Sequence, residues 1–212
     1  MSLLGRLHGE YVHTRRVHVL RRCLSELIPQ QASVLDVGCG DGLLASLIMD
    51  DRPDLQFTGI DVILRKETRI PIAAFNGKHI PFPDKSWDFV MFVDVLHHTD
   101  DPTILLREAA RVARTGLVIK DHTLNGFLAG PTLKFMDIIS NRRFGVALPF
   151  NYWRYEQWTA AFKSLGLSVE GWNKDLRLYP GPADWMFGRS LHFVGRLDLA
   201  GKKEVTATHA NL

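Results

Sequence analysis

Apolar residues recur at helical spacing from about Leu7 to Ile28 (Val12, Val17, Leu20, Leu24, Leu27), and Pro29 closes the run, so the chain opens on an amphipathic helix. The pattern then shortens. Ala32–Val37 is a short apolar, β-branched run that stops at a cluster of glycines, and Leu43–Met49 resumes the helical spacing. Gln56–Ile60 reads as a second strand ending at Asp61, and Pro71–Phe75 as a weaker third. Trp87–Val93 is almost continuously apolar, as a strand covered on both faces should be. Pro102–Ala113 follows as a helix whose start is marked by Asp100-Asp101-Pro102, and Leu117–Lys120 reads as the fifth strand.

Strands alternating with helices at this spacing predict a doubly wound parallel sheet. The last third breaks the rhythm. Asp121–Asn151 is irregular and aromatic-rich around a helix at Thr132–Ile139, and Trp153–Leu165 is an amphipathic helix. Leu167–Asp175 and Ser190–Leu197 are two strands around the turn Tyr179-Pro180-Gly181-Pro182, with no helix between them. Such a pair closes a sheet edge antiparallel. The expected fold is therefore α/β and Rossmann-like: a doubly wound, seven-stranded sheet, mostly parallel with an antiparallel C-terminal strand. Residues 1–198 are expected to form one domain, with a helical cap over 1–29, an acceptor-side lid over 121–155 and a loose polar tail over 199–212.

The strongest chemical signal is Val34-Leu35-Asp36-Val37-Gly38-Cys39-Gly40-Asp41-Gly42, where a strand runs through alternating glycines into a helix. Glycine is needed where the chain turns sharply and where a ligand presses on the main chain. In open α/β sheets that crevice lies at the carboxyl ends of the strands. Asp61, ending the second strand, is placed to accept both hydroxyls of a ribose, and its loss is expected to spare the ligand-free fold. The ligand should carry adenosine but not a pyrophosphate. Leu43 stands where a dinucleotide fingerprint wants its third glycine, and Asp36 and Asp41 bracket the loop with negative charge. Asp41 would also occupy the helix N–H groups that a phosphate needs. A cationic ligand suits the loop better.

Composition changes this picture little. The 212 residues are 46% hydrophobic and 23% charged, with a net charge of +3. No apolar run approaches the roughly 20 residues of a membrane span. Met1-Ser2-Leu3-Leu4-Gly5-Arg6 lacks the apolar stretch of a secretory leader, so a cytoplasmic location is expected. Cys23 and Cys39 make no disulfide framework, and no local Cys/His spacing suggests a metal. Arg6, Arg15, Arg16, Arg21 and Arg22 cluster near the N-terminus with His8, His13 and His18, either as a solvated helix face or as an anion site.

The glycine loop with Asp61 behind it resembles class I S-adenosylmethionine-dependent methyltransferases, within a small-molecule branch that includes quinone-biosynthesis enzymes. The likeness extends through Asn76-Gly77-Lys78-His79-Ile80-Pro81-Phe82 and Trp87-Asp88-Phe89-Val90-Met91-Phe92-Val93-Asp94-Val95-Leu96-His97-His98. It implies S-adenosyl-L-methionine as cofactor, held by Asp36, Gly38, Cys39 and Gly40 at its methionine part and by Asp61 at the ribose. Asn76 and Gly77 would border the adenine, where many relatives carry an aspartate in place of Asn76. Val93, Asp94 and His98 would line the place where the methyl group emerges. Tyr11 and Arg15 share a helical face and are expected to reach the methionine carboxylate or close the acceptor pocket, with Arg16 and Arg22 solvated. His98, and His122 in Lys120-Asp121-His122, are the candidate catalytic residues.

Nucleic-acid amine methyltransferases of similar fold carry an Asp/Asn-Pro-Pro-aromatic run after the Trp87–Val93 strand, and none is present. Asn125–Trp158 instead holds Phe127, Phe135, Phe144, Phe150, Tyr152 and Trp153, which suits an apolar or aromatic small molecule, methylated at oxygen. Without a strong nucleic-acid signal, an RNA- or protein-modifying methyltransferase using the basic helix stands as an alternative. A non-catalytic S-adenosylmethionine-binding partner protein is another.

Overall fold

In the computed structural model the described residues are 3–141, 148–188 and 190–199, with side chains from Thr14 to Ile139 and through the later segments. Tyr11's side chain, Phe144 and the tail beyond Leu199 lie outside them. Seven strands form a single sheet in the order β3-β2-β1-β4-β5-β7-β6. They are β1 Ser33–Val37, β2 Gln56–Asp61, β3 Ile72–Ala74, β4 Trp87–Val93, β5 Ala113–His122, β6 Leu167–Asn173 and β7 His192–Leu199. The first five pair in parallel, and β7 enters antiparallel between β5 and β6. This is the expected sheet.

Period-two alternation divides the core into two layers. Leu35, Val37, Val90 and Phe92 point to one face with α3 (Pro102–Val112) and α5 (Tyr155–Ser164), where Leu106, Ala109, Trp158 and Phe162 are buried. Val34, Phe89, Met91 and Val118 point to the other, under α1 (Leu3–Leu27) and α2 (Leu43–Asp51) through Leu20, Leu24, Ala45 and Ile48. A fourth helix, α4 (Ala129–Asn141), stands apart over a small cluster of Ala129, Leu133, Tyr152 and Leu191.

Several boundaries shift by a few residues from the sequence expectation, and two of the shifts have a clear cause in strand pairing. The helix at 102 stops at Val112, and Ala113 turns extended to pair with Trp87, so strand pairing overrides alanine's helix preference. β5 is also far longer than Leu117–Lys120. Pairing with β7, from Gly116 opposite Asp198 to His122 opposite His192, carries it through Asp121 and His122, polar residues that carry no strand signal of their own. The register Val37–Ile60, Val37–Phe92 and Val93–Lys120 brings the carboxyl ends of β1, β2, β4 and β5 to one edge, with the reversal of strand order at β1/β4.

Candidate functional site

At the end of β1 the chain turns through Gly38, whose φ of 75° and N–H to the Ile60 carbonyl (2.7 Å) fix the loop against β2. A Cβ on Gly38 would stand 2.5 Å from Val95, whereas one on Gly40 would meet nothing within 4 Å among the described residues. Gly40 thus fronts open space. Behind it, Asp61 accepts from the N–H groups of Gly40 and Ile63, each at 2.8 Å, and is buried. This corrects the expectation that Asp61 can be lost without cost to the fold, because it ties the glycine loop to the β2 loop. Each carboxylate oxygen keeps a lone pair for a ribose hydroxyl. Asp36 is buried alongside, and burial, with Asp61 nearby, pushes its carboxyl up to about 7. Cys39 turns its sulfur to Gly59, where a Cβ would lie 2.4 Å from Sγ, so it offers a ligand only its backbone. Burial, then Asp36 and Asp61, push its thiol up and leave it un-ionised. Asp41 Oδ1 accepts from Leu43 N–H at 3.1 Å, occupying the start of α2 as expected.

A cleft of about 550 Å³ opens beside this loop, bordered by Gly38, Asn76, Gly77 and His98. Ile63, Val95 and Leu105 supply apolar walls of the kind an adenine ring occupies. Asn76 Oδ1 accepts from Lys78 N–H (2.9 Å) and His79 N–H (2.8 Å), so its carbonyl is committed to the turn and its amide nitrogen remains to face a ligand. The residues fit an adenosine carrying a cationic tail: an open glycine, two buried carboxyls and an apolar slot meet at one edge.

Beyond the ends of β4 and β5 lies a network of ionisable side chains. Asp94, at φ 57°, receives Arg16 from α1 and the fully buried Lys120 from β5, with His122 Nε2 at 3.4 Å. Burial pushes the Asp94 carboxyl up, but Arg16 and Lys120 more than reverse this and hold it well below the usual carboxylate range. Arg16 is therefore paired rather than solvated. Arg15, the residue expected at the cofactor, donates to the Arg177 carbonyl at 3.2 Å and is not brought to the glycine loop. His192 Nε2 donates to the Phe187 carbonyl (3.0 Å), which leaves Nδ1 to accept from Lys120 Nζ at 3.3 Å. Burial keeps His192 and His122 neutral.

His97 is buried between two carboxylates, with Nδ1 2.6 Å from Asp121 and Nε2 3.4 Å from Asp137. Burial pulls its pKa down, yet Asp121 and Asp137 push it up to about 10. His98 lies against it with ring centres 4.1 Å apart and the ring planes tilted by 44°, and burial and that neighbour lower its pKa. Val93 is half-buried at the end of β4, one residue before Asp94. The sequence reading found His98 and His122 but missed Arg16, His97, Asp137 and His192 as site residues. They come from three helical segments and β7, and no local motif links them.

The family model for the methyltransferase domain matches residues 9–170. The 27-O-demethylrifamycin SV methyltransferase of Amycolatopsis mediterranei is 32% identical over 108 residues, 44% of this chain and 39% of that protein. The ubiquinone biosynthesis O-methyltransferase of Proteus mirabilis is 27% identical over 137 residues, 56% of this chain and 54% of that one. These alignments thus span about half or less of those relatives. A methyltransferase solved with the Trm112 activator of Haloferax volcanii superposes with a TM-score of 0.64 at 17% identity, covering 92% of this chain and 94% of that one, a likeness of fold.

Proposed function

The chain belongs to the methyltransferase-domain family, and we propose that it transfers the methyl group of S-adenosyl-L-methionine to a small, partly hydrophobic acceptor, at an oxygen atom. The observation that carries this reading is the meeting of the glycine loop and its two buried carboxyls with a largely apolar cleft that has His98 on its border. The cofactor supplies an activated methyl group on a sulfonium. The chain's own part is placement. The backbone at Gly38, Cys39 and Gly40 receives the methionine portion with Asp36 facing its positive charge, Asp61 takes the ribose, and Asn76 and Gly77 border the adenine. Val93 and His98 shape the acceptor end, His122 backs it from β5, and the described residues of the segment after β5, 123–139 and 148–155, wall it.

Methyl transfer forms one bond to the acceptor oxygen as the carbon–sulfur bond breaks, and the acceptor hydroxyl gives up its proton. Holding the oxygen in line at near-attack distance can supply on the order of 7–11 kcal/mol. His98 borders the cleft and can hydrogen-bond that hydroxyl through a ring nitrogen, and the released proton passes to solvent. The acceptor class rests also on what happened to the basic helix. Arg15, Arg16 and Arg21 are engaged with Arg177, Asp94 and Asp51 rather than presented as a footprint for a polyanion.

Incubation of cell extract with methyl-labelled cofactor tests the reading. Label is expected in a small organic-soluble product, made by the native chain and lost in Asp61→Ala. Label confined to RNA or protein would replace the acceptor class, and cofactor binding without turnover on any fraction would make the chain a binding partner instead.

A further inference from the structure

The geometry points to a divalent-cation site formed by His97, His98 and Asp137, for a metal of the Mn²⁺, Fe²⁺, Co²⁺ or Zn²⁺ class. Each of the three offers one ligand atom, and these atoms all lie within 4.8 Å of one another. His97 Nε2 and Asp137 Oδ2 are 3.4 Å apart, within ion-pair reach, but Nε2 has no hydrogen-bond partner among the described residues although the imidazole is 1% exposed. That separation is the edge of a tetrahedron whose metal–ligand bonds are about 2.1 Å. His98 Nδ1 is likewise buried and has no hydrogen-bond partner among the described residues. Two buried imidazole nitrogens with no hydrogen bond among the described residues, grouped with one carboxylate, are what a cation would satisfy.

The surroundings are built as metal sites are built. A ligating histidine ordinarily donates its other N–H to a carboxylate, and a ligating carboxylate is itself hydrogen-bonded. His97 Nδ1 meets Asp121 Oδ1 at 2.6 Å, and Asp121 is in turn fixed by the N–H groups of Leu96 (3.0 Å) and His122 (2.7 Å). Tyr152 OH donates to Asp137 Oδ2 at 2.5 Å. Asp121 could itself join His97 and His122 as a ligand group, but its oxygens already hold His97 and two backbone donors, which marks it as support. Mixed nitrogen and oxygen ligands favour a borderline transition metal over Mg²⁺ or Ca²⁺, which prefer oxygen alone. Three protein ligands leave coordination positions open, and His98 borders the cleft. An acceptor oxygen is the chemistry those positions would take. That use rests on the methyl-transfer reading, whereas the site itself does not.

The competing occupant is a proton, held on His97 between Asp121 and Asp137. Titration of the chelator-stripped full chain with Co²⁺, with neither cofactor nor acceptor added, separates the two. One equivalent of Co²⁺ is expected to give visible d–d absorption, displaced by Zn²⁺. Affinity should fall at least about tenfold in His98→Ala and Asp137→Asn, and also in Tyr152→Phe, where only the support is lost. His79→Ala, an exposed imidazole outside the cluster, should bind as the native chain does. Circular dichroism checks that the variants fold. Should they not, paramagnetically shifted ring protons of His97 and His98 in the native Co²⁺ form serve instead. Absence of Co²⁺ and Zn²⁺ binding at millimolar metal, binding indifferent to both ligand substitutions, or no shifted histidine signals would overturn the site. Because no methyl transfer is measured, failure here leaves the proposed reaction standing, and failure of the reaction leaves the site standing.

Discussion

The guanidinium of Arg16, on the helix that precedes the sheet, is ion-paired with Asp94 at the carboxyl end of β4, a separation of 78 residues. The same carboxylate neutralises Lys120, whose side chain has no exposure to solvent. One aspartate therefore clamps the N-terminal helix to the strand end and keeps a buried lysine from standing alone.

The consequences for stability are unequal. Asp94→Ala leaves Lys120 as an uncompensated buried charge and should cost about 3–5 kcal/mol in urea unfolding. Arg16→Ala leaves the Asp94–Lys120 pair intact and should cost about 1–2 kcal/mol, while Arg15→Ala should cost under about 1 kcal/mol. Equal losses for Arg15 and Arg16 would contradict the clamp.

Asp61 should report on both fold and cofactor. Asp61→Ala orphans the N–H groups of Gly40 and Ile63, each worth roughly 1–3 kcal/mol when left unsatisfied. Apo-protein Tm should drop clearly and the cofactor Kd rise at least about tenfold. A variant with native Tm and weakened binding would mean that the two backbone bonds are not made in solution.

The glycines separate space from strain. Gly38→Ala places a Cβ 2.5 Å from Val95 at a positive φ and should cost about 2–4 kcal/mol. Gly40→Ala meets nothing within 4 Å among the described residues, so the left-handed backbone is what resists it, at about 1–2 kcal/mol. Its Cβ would enter the space assigned to the cofactor, and calorimetry should show affinity falling at least about tenfold. Unchanged affinity in Gly40→Ala would move the methionine portion elsewhere.

Asp36 gives a pH prediction. Its folded pKa of about 7 lies above the ordinary 3.8, so the folded chain holds a proton that the unfolded chain has already released. The stability this contributes is complete below about pH 4 and lost as pH rises through about 7. A cationic ligand beside Asp36 favours the ionised form, so binding near pH 6–7 should release a proton and strengthen as pH rises to about 7. Binding enthalpies measured in buffers of different ionisation heat should differ accordingly, and Asp36→Asn should remove the difference. Buffer-independent enthalpy for the native chain would place the positive charge away from Asp36.

Legibility followed locality. The glycine turn, the acidic end of β2 and the nearly all-apolar β4 are each written in fewer than ten consecutive residues, because a backbone turn and a two-face-buried strand are constraints on neighbouring positions. β5 was legible only in its apolar middle, since Asp121 and His122 become strand through pairing with a strand 70 and more residues away. The aromatic stretch after β5 misled in part. Phe127 and Phe135 are 80% and 55% exposed, while Tyr152 is buried with its hydroxyl on Asp137.

The sequence by itself determined the α/β class, the doubly wound order with its antiparallel end and the place of the glycine crevice, all of which follow from periodicity and from turns that admit few residue types. Only the tertiary structure decided that Arg16 rather than Arg15 reaches the site, that Asp61 holds the loop as well as facing it, and that His97, His98, Asp121, His122, Asp137 and Tyr152 converge. The reason is physical. A helix position one residue along is rotated by about 100°, so the sequence separates the faces of Arg15 and Arg16 but does not say which face docks, and it is Arg16 that meets Asp94. Buried imidazoles and carboxylates from separate segments likewise acquire their partners only through sheet register and helix docking, and no spacing along the chain records that.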